Sequence, residues 1–363
     1  MAITEDAALE ALRGVQDPEL PRDLVSLNIV RDVTVTDAAV SLTIMLTTSA
    51  CPFRDQIEAD VRAALVAVGA DEISIDWDAN VPTYAPAGTQ IPPAGAPDPP
   101  GNQTLVPGVR NIIAIGSNKG GVGKSTVSVN LAVALAQAGA RVGLIDADIT
   151  GPNLPRMFGL PAGYQQDSER GLHPVSKHGV KVVSLGFLIP PGSPVVWRGP
   201  MIGSGVRQLI HDVKWGDLDY LLIDLPPGTS DAPMTMAQEA PIVGAVIVST
   251  PQQVAIEDAE KAVSMFEKLE VPVLGIIENM SYFITPDSGQ RLEIFGHGGA
   301  REAATELDID FLGEIPIEEE VRIGGDDGKP IVVEHPDSAA AQAFVSIAGQ
   351  VAGRVSVLDL VRA

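Results

Sequence analysis

The amino-acid sequence predicts a doubly wound α/β domain with a mostly parallel sheet, preceded by a small α+β domain. From Val109 onward, strand-length apolar runs alternate with helical segments, which is typical of strands buried on both faces of a parallel sheet. A separate set of strand and helix patterns precedes them, and a Pro/Ala/Gly-rich stretch lies between. We therefore predict a first domain of residues 1–82, a linker of residues 83–108 and a second domain of residues 109–363.

The first predicted domain combines helices with paired strands. Residues 30–35 and 40–48 alternate apolar and polar side chains, which indicates strands with one buried face. Apolar residues recur at helical spacing over residues 52–68. A helix over residues 4–15 and a closing strand over residues 72–77 complete an α+β plan.

The second predicted domain contains a series of strand candidates. Each is a short run dominated by Val, Ile, Leu and Ala. In open α/β sheets, ligands bind at the carboxyl ends of the strands. The candidates are Asn111–Ile115, Arg141–Asp146, Val180–Leu185, Tyr220–Asp224, Ala245–Thr250, Val273–Ile277 and Phe311–Ile315.

The charge balance of the chain is strongly acidic. Lys and Arg total 24 against 47 Asp and Glu, so the formal net charge is −23 at pH 7. This composition is typical of salt-accumulating halophiles such as haloarchaea, because the Debye length falls to about 3 Å at 1 M salt and carboxylate repulsion is screened. The alternative is an ordinary acidic cytosolic protein. Such a charge argues against nucleic-acid and anionic-membrane partners.

Three observations concern the cellular location. The single cysteine excludes an internal disulfide framework. The first residues are acidic and amphipathic, unlike a signal peptide, and no apolar run approaches the roughly 18 residues of a membrane span. We expect a soluble, cytoplasmic protein without a membrane partner.

Residues 118–126 form the most informative motif. A strand candidate precedes it and a helical segment follows, so backbone N–H groups and a helix N-terminus face one point. This is a phosphate-binding loop, in which Lys124 reaches the β- and γ-phosphates and Ser125 holds Mg²⁺. Asn118 replaces the first glycine of the usual pattern, and Lys119 is an additional lysine. We expect the whole motif to bind a nucleotide: Asn118, Lys119, Gly120, Gly121, Val122, Gly123, Lys124, Ser125 and Thr126.

Two strand candidates of the second domain end in carboxylates. Asp146 and Asp148 follow one strand, where a carboxylate can orient an attacking water or a metal-bound water. Solvated strand-end aspartates are the alternative. Asp224 ends another strand before a rigid Pro-Pro-Gly turn, so we expect it to hold Mg²⁺ through water. Gly228 of that turn can offer its N–H to the γ-phosphate.

Several segments together resemble the Mrp/ApbC iron–sulfur cluster carrier ATPases, which share a deviant Walker A loop with MinD and ParA. The segments are KGGVGKST, IDADITGPN, IDLPPGTSD, TPQQVAIEDAEKA and IENMSYF. The resemblance runs from about residue 105 to 336 and implies a P-loop NTPase domain over residues 109–363. Residues 10–77 resemble the small domain of iron–sulfur assembly factors that often precedes the ATPase in this family.

The resemblance implies a homodimer with two ATP at its interface, in which Lys119 of one chain reaches the nucleotide of the other. It also implies that Asp148 positions the attacking water, that Asp146 supports the Mg²⁺ shell, and that Asn279 reads adenine; a turn-stabilising asparagine is the alternative. ATP and Mg²⁺ are the expected cofactors. The expected catalytic residues are Lys119, Lys124 and Asp148, and the expected metal site comprises Ser125, Asp146 and Asp224.

One segment departs from the family. The family usually has C-P-x-C after the SYF segment, and those cysteines bridge a [4Fe–4S] cluster between two subunits. This chain has Thr285, Pro286, Asp287 and Ser288 there. Hydroxyl groups cannot replace the thiolates that such clusters need, so we expect the usual cluster site to be absent.

Cys51 is the remaining thiol of the chain. It follows a strand candidate and precedes Pro52, which suits the first position of a helix, so we expect Cys51 to be the N-cap. A helix N-terminus lowers the pKa of a thiol, which makes Cys51 a candidate iron–sulfur ligand with a second chain or an outside thiol. A half-buried strand-end residue without chemistry is the alternative.

We interpret the sequence as an ATP-hydrolysing iron–sulfur cluster carrier that lacks the usual cluster ligands and serves apo-proteins and assembly factors. Two alternatives stay open. One is a MinD/ParA-like positioning ATPase, against which the acidic charge and the assembly-type first domain count. The other is an ATP-dependent adaptor without its own cluster.

Overall fold

The computed structural model describes residues 3–18, 22–48, 51–79, 106–148, 151–160, 172–188, 199–228 and 240–362. The chain divides into two units, Met1–Pro82 with Ala352–Ala363, and Thr83–Val351. The division into residues 1–82, 83–108 and 109–363 stays a prediction. By their contacts, the last residues of the chain, Ala352–Ala363, group with the first unit.

The first unit contains a sheet of three strands with two helices packed on it. Strands β1 (Val30–Thr36), β2 (Ala39–Leu46) and β3 (Glu72–Ala79) lie in that order, with β1 antiparallel and β3 parallel to β2. Helices α1 (Glu5–Leu12) and α2 (Arg54–Ala67) contribute to the same apolar core. Parallel strands need a crossover connection, and α2 supplies it between β2 and β3.

The second unit alternates strands and helices along the chain, as the sequence predicts. Its strands are β4 (Val109–Gly116), β5 (Val142–Asp146), β6 (Val175–Lys177), β7 (Val180–Ser184), β8 (Leu218–Asp224), β9 (Ile242–Ser249), β10 (Val273–Ile284), β11 (Arg291–Leu292) and β12 (Phe311–Ile317). Its helices are α3 (Lys124–Gln137), α4 (Leu154–Met157), α5 (Gly199–His211), α6 (Gln253–Lys268), α7 (Gly299–Glu306), α8 (Glu319–Asp327) and α9 (Ile331–Glu334), and α10 (Ala339–Arg362) begins here.

The strands of the second unit belong to one sheet. Their order is β11-β10-β9-β4-β8-β5-β7-β6, and β12 also pairs with β10. The central pairs are parallel, whereas β6 and β11 add antiparallel edges. The predicted mostly parallel α/β fold is therefore confirmed. Because β4, β8 and β5 are neighbours, their carboxyl ends lie side by side.

The central strands are buried along their whole length. Every residue of β5, β8 and β9 is buried, which explains why their sequences are continuous apolar runs rather than alternating ones. The buried runs of β5 and β8 each end in an aspartate, so two carboxylates lie at the edge of an apolar core. Within the described residues, no helix is long and apolar enough to cross a membrane.

Two local predictions differ from the structure. The prediction that Cys51 is a helix N-cap was wrong, because α2 begins at Arg54 and its N-cap is Phe53. Residues 52 and 53 form a turn before the helix, so Pro52 is not its first residue. Strand β10 is longer than predicted, because its second half pairs with β11 and with the end of β12.

Candidate nucleotide-binding site

The phosphate loop joins β4 to α3. Gly121 and Gly123 both have a φ of 84°, in the left-handed region that favours glycine. At Gly123 a side chain is also excluded by contact, since an added Cβ would lie 2.2 Å from Nδ2 of Asn279. Helix α3 begins at Lys124, so its first N–H groups face the loop, as the sequence predicts.

Asp224 is the centre of a buried polar cluster at the carboxyl end of β8. Its Oδ1 lies 2.8 Å from Lys124 Nζ and 2.7 Å from Ser128 Oγ, and its Oδ2 accepts a hydrogen bond of 2.7 Å from Ser125 Oγ. Asp224 is fully buried and Lys124 is 6% exposed, so the ion pair is shielded from solvent. Removal of Lys124 would leave an uncompensated buried charge, which is strongly unfavourable.

Oxygen ligands suited to Mg²⁺ converge at this cluster. The hydroxyl of Ser125 and the carboxylate of Asp224 are the hard oxygen donors that Mg²⁺ prefers, and they lie beside the loop predicted to hold phosphates. The residues present therefore fit the predicted magnesium site. Ser128 was missed by the sequence reasoning; its position one helical turn after Lys124 is the signal that would have found it.

Asp146 is fully buried at the end of β5, in register with Asp224 on β8. Its Oδ2 accepts hydrogen bonds from Ser184 Oγ at 2.9 Å and from Leu154 N at 3.2 Å, and its Oδ1 accepts one from Asp148 N at 3.2 Å. Burial and then the charge of Asp224 raise the pKa of Asp146 to about 8. Asp146 therefore organises the chain around Asp148, and its support of a metal shell stays a prediction.

Asp148 lies at the cleft and is partly buried. Its Oδ1 accepts a hydrogen bond of 3.3 Å from Gly151 N, which fixes the start of the next segment. Gly228 has a φ of 103° and donates its N–H to Ser117 O at 3.2 Å. The predicted contact of the Gly228 N–H with a phosphate stays a prediction.

A cleft of about 560 Å³ lies beside the phosphate loop, within the second unit. Its lining combines the polar phosphate loop with apolar side chains, those of Met280, Phe295, Pro316, Ile317 and Val321. Polar and apolar groups in one lining suit a molecule with a charged group and a ring system. The other lining residues outside the loop are Asp148, Asn153, Arg156, Met157, Pro227, Asn279, Glu318, Arg322, Gly325 and Asp326.

Asn279 and Lys119 both line this cleft and differ in their contacts. Asn279 Nδ2 donates a hydrogen bond of 2.8 Å to Val122 O, so β10 is tied directly to the phosphate loop. The prediction that Asn279 reads adenine stays a prediction. Within the described part of the chain, the ammonium group of Lys119 has neither a hydrogen bond nor an ion pair, although its carbonyl accepts a hydrogen bond from Ser117.

The segment in the family's C-P-x-C position forms a turn between β10 and β11. Thr285 Oγ1 and Ser288 Oγ lie 2.6 Å apart, and Thr285 Oγ1 also accepts a hydrogen bond of 3.0 Å from Gln290 N. The two hydroxyls stabilise the turn. Cys51 is partly buried and packs against the core of the first unit. Because it is not the N-cap of α2, the helix N-terminus does not supply the predicted stabilisation of a Cys51 thiolate.

The β4–loop–α3 unit and the buried Lys124–Asp224 pair define a P-loop nucleoside-triphosphate-binding protein. The profile of the NUBPL iron-transfer P-loop NTPase family matches residues 108–352, and that of the iron–sulfur cluster assembly protein family matches residues 5–76. The chain belongs to the NUBPL iron-transfer P-loop NTPase family, and the resemblance drawn from the sequence motifs is confirmed.

Relatives match over most of the chain. An iron–sulfur cluster carrier protein of Synechocystis is 50% identical over 99% of this chain and 100% of its own length. The iron–sulfur cluster transfer protein NUBPL of Dictyostelium discoideum is 44% identical over 71% of this chain and 80% of its own. A solved nucleotide-binding protein of Archaeoglobus fulgidus in complex with ADP is 45% identical, with a TM-score of 0.56 over 63% of this chain and 90% of its own.

Proposed function

We propose that this protein is an ATP-hydrolysing iron–sulfur cluster carrier that delivers clusters to apo-proteins. The observation that carries the proposal is the convergence of Lys124, Ser125 and Asp224 beside the phosphate loop, in a chain of the iron-transfer family. The Synechocystis relative named as a cluster carrier aligns over both units, which supports the same activity here.

In the proposed reaction, water attacks the γ-phosphorus of ATP as the bond to ADP breaks. Lys124 neutralises charge on the β- and γ-phosphates, and Asp148 orients the water. Ser125 and Asp224 would hold Mg²⁺, which would supply electrostatic stabilisation of the transferred phosphoryl group. The Asp146 carboxyl holds the backbone N–H of Asp148, so its first role in this scheme is to position that residue.

The remaining loop residues bind the phosphates through their backbone N–H groups. Asn118, Gly120 and Thr126 belong to this cradle, which the helix N-terminus of α3 completes. Asn279 holds the loop through Val122 and borders the base.

We assign the protein a homodimeric active form. Lys119 lines the cleft, and its ammonium group has no ion pair among the described residues. An ammonium group beside the cleft that has no ion pair in the described part of its own chain is suited to contact a partner chain. We infer that it neutralises charge on the phosphates bound by that partner.

The iron–sulfur cluster is the cargo of the proposed carrier. Thr285 and Ser288 offer hydroxyls where the family has cysteines, so a bridging cluster at that turn is not part of the proposal. The remaining candidate ligand is Cys51, used with a thiol from outside the chain. The clients are apo-proteins and assembly factors in the cytoplasm, and the net charge of −23 supports a salt-accumulating host.

Measurements of ATP turnover and cluster transfer test the proposal. Phosphate release is measured with Mg²⁺ in molar KCl, and transfer of a preformed cluster to an apo-enzyme is followed anaerobically by the return of its activity. We expect Lys124→Ala to abolish ATP turnover and the effect of ATP on the rate of cluster transfer. Lys268→Ala, at an exposed lysine of α6, should keep both. Wild-type turnover no higher than that of Lys124→Ala would contradict ATP hydrolysis, and a transfer rate that does not change with ATP would contradict a link between hydrolysis and transfer.

A further inference from the structure

Two segments on one side of the cleft touch through their backbones. The contact joins Gly159, which follows α4, to Gly328, the left-handed residue that ends α8. A Cβ added at Gly328 would lie 2.2 Å from both Cα and N of Gly159 and 3.1 Å from the Arg156 carbonyl oxygen. Only glycine at position 328 allows the two segments to approach so closely.

Two further contacts support this junction. His178 Nε2 lies 3.3 Å from the Gly328 carbonyl oxygen, and Arg156 Nε donates to the Asp326 carbonyl oxygen at 3.4 Å. The guanidinium of Arg156 also lies 3.7 Å from the Asp326 carboxylate, but both side chains are exposed, so this ion pair contributes little. The close packing of the two glycines is therefore the dominant contact.

The two joined segments carry different parts of the nucleotide site. Helix α4 follows Asp148 in the chain and is tied to β5, because Leu154 N donates to Asp146 Oδ2. Helix α8 lines the cleft through Val321, Arg322, Gly325 and Asp326. The segment after Asp148 is therefore held by Asp146 near its start and by Gly328 at its end.

We propose that the Gly159–Gly328 contact couples nucleotide occupancy of the cleft to the position of Asp148. This inference rests on the proposed ATPase function. A nucleotide that packs on α8 fixes that helix, and the glycine contact transmits its position to α4 and to the chain that carries Asp148. Gly159 and Gly328 are positioning residues, since neither lines the cleft. A misplacement of about 1 Å in such a system costs on the order of 10²-fold in rate.

The variant Gly328→Ala places a methyl group in the contact, and Gly69→Ala is its matched control. Gly69 follows α2 with a φ of +97°, compared with +73° at Gly328, but a Cβ added there has nothing within 4 Å. Both variants carry backbone strain, and only Gly328→Ala disturbs the α4–α8 contact. We expect Gly328→Ala to lower kcat on the order of 10²-fold while Kd for ATP stays close to the wild-type value. Gly69→Ala should keep both values.

Hydrogen–deuterium exchange gives a readout that does not need hydrolysis. We expect a non-hydrolysable ATP analogue with Mg²⁺ to slow exchange at residues 151–160 in wild type and Gly69→Ala, and to slow it less in Gly328→Ala. Some slowing remains in that variant because Asn153, Arg156 and Met157 line the cleft themselves. The milder Gly159→Ala, whose Cβ would lie 3.3 Å from the Gly328 carbonyl oxygen, should weaken the slowing and serves if Gly328→Ala does not fold.

Two outcomes would overturn the coupling. One is equal slowing in wild type and the glycine variants, and the other is a wild type whose residues 151–160 do not respond to the analogue. If the wild type binds the analogue without hydrolysing ATP, the ATPase proposal fails, and the exchange result still decides whether the contact couples the two sites.

Discussion

The carboxyl end of β8 and the turn between β10 and β11 lie in the same unit and differ in the ligands they offer. At β8, Asp224 receives Lys124 and Ser125 within 2.8 Å in a buried cluster. At the turn, Thr285 and Ser288 bond to each other and to the backbone. The polar groups proposed to hold the nucleotide and Mg²⁺ are assembled at β8, whereas the turn offers hydroxyls in place of thiolates. The residues of the proposed nucleotide site can therefore be present in a chain that lacks the cysteines at this turn.

Removal of the Asp148 carboxylate, which we propose orients the attacking water, should slow hydrolysis strongly. We expect Asp148→Ala to bind ATP and to hydrolyse it on the order of 10²–10³-fold more slowly, because one preorganised electrostatic group is lost. Phosphate release and nucleotide binding are measured on the same samples, with Asp60→Ala, an exposed aspartate of α2, as control. Near-normal turnover in Asp148→Ala would remove that assignment.

Restoration of cysteines tests the turn between β10 and β11 as a cluster site. The double variant Thr285→Cys with Ser288→Cys supplies two thiolates per chain, hence four per dimer, which is the ligand set of one [4Fe–4S] cluster. We expect anaerobic reconstitution to give a stable cluster in the double variant, read by absorbance and iron content. In wild type, any cluster should be substoichiometric and should vanish in Cys51→Ser. A full wild-type cluster that survives Cys51→Ser would show that ligands other than cysteine hold it.

The role of Lys119 can be tested by mixing chains. We expect Lys119→Ala to weaken ATP-dependent dimerisation and lower turnover, by less than the loss of Asp148. A mixture of Lys119→Ala with Asp148→Ala contains dimers in which one site has both an intact Asp148 and the partner's Lys119. Turnover above the sum of the two parents indicates action across the dimer, and turnover equal to that sum would place Lys119 in its own site or outside catalysis.

Salt should raise the thermal stability of the protein, as a smaller effect than those expected of the substitutions above. At a net charge of −23, repulsion between carboxylates opposes folding, and molar KCl screens it. We expect Tm to rise between about 0.1 and 3 M KCl, where the Debye length falls from about 10 Å to below 3 Å. A Tm that is flat or falls over this range would contradict a halophilic origin.

The smallest predicted effect concerns the proton on Asp146. Its pKa is about 8 in the folded chain, because of burial and then the charge of Asp224, against about 3.9 for an unfolded Asp. Between about pH 3.9 and about 8, Asp146 is protonated in the folded chain and ionised in the unfolded chain. Its contribution to the free energy of unfolding therefore falls as pH rises. Asp146→Asn cannot titrate, and urea unfolding in molar KCl should show a shallower loss of stability from about pH 5 to 8. Equal slopes in variant and wild type would contradict the raised pKa.

The local motifs of the site could be predicted from the sequence, because neighbours in the chain form them. The loop from Asn118 to Thr126 and the strand-end residues Asp146 and Asp224 depend only on short spacings and on the rule that parallel strands end at one edge. The parallel sheet could be predicted as well, because strands buried on both faces have continuous apolar sequences.

Features that depend on strand order or distant packing could not be predicted. Ser184 reaches Asp146 because β7 is the neighbour of β5, which no local pattern records. The Gly159–Gly328 contact likewise joins residues far apart in the chain. The N-cap prediction for Cys51 failed over two residues, because the proline there belongs to a turn and the helix starts later.

The hydrogen bond from Asn279 to Val122 has a thermodynamic consequence. It ties the phosphate loop to β10, and a Cβ at Gly123 would collide with the same amide. The conformational entropy of ordering this glycine-rich loop is therefore lost when the chain folds. A nucleotide that enters the cleft meets a loop already fixed in place, so less of its interaction free energy is offset by ordering the protein.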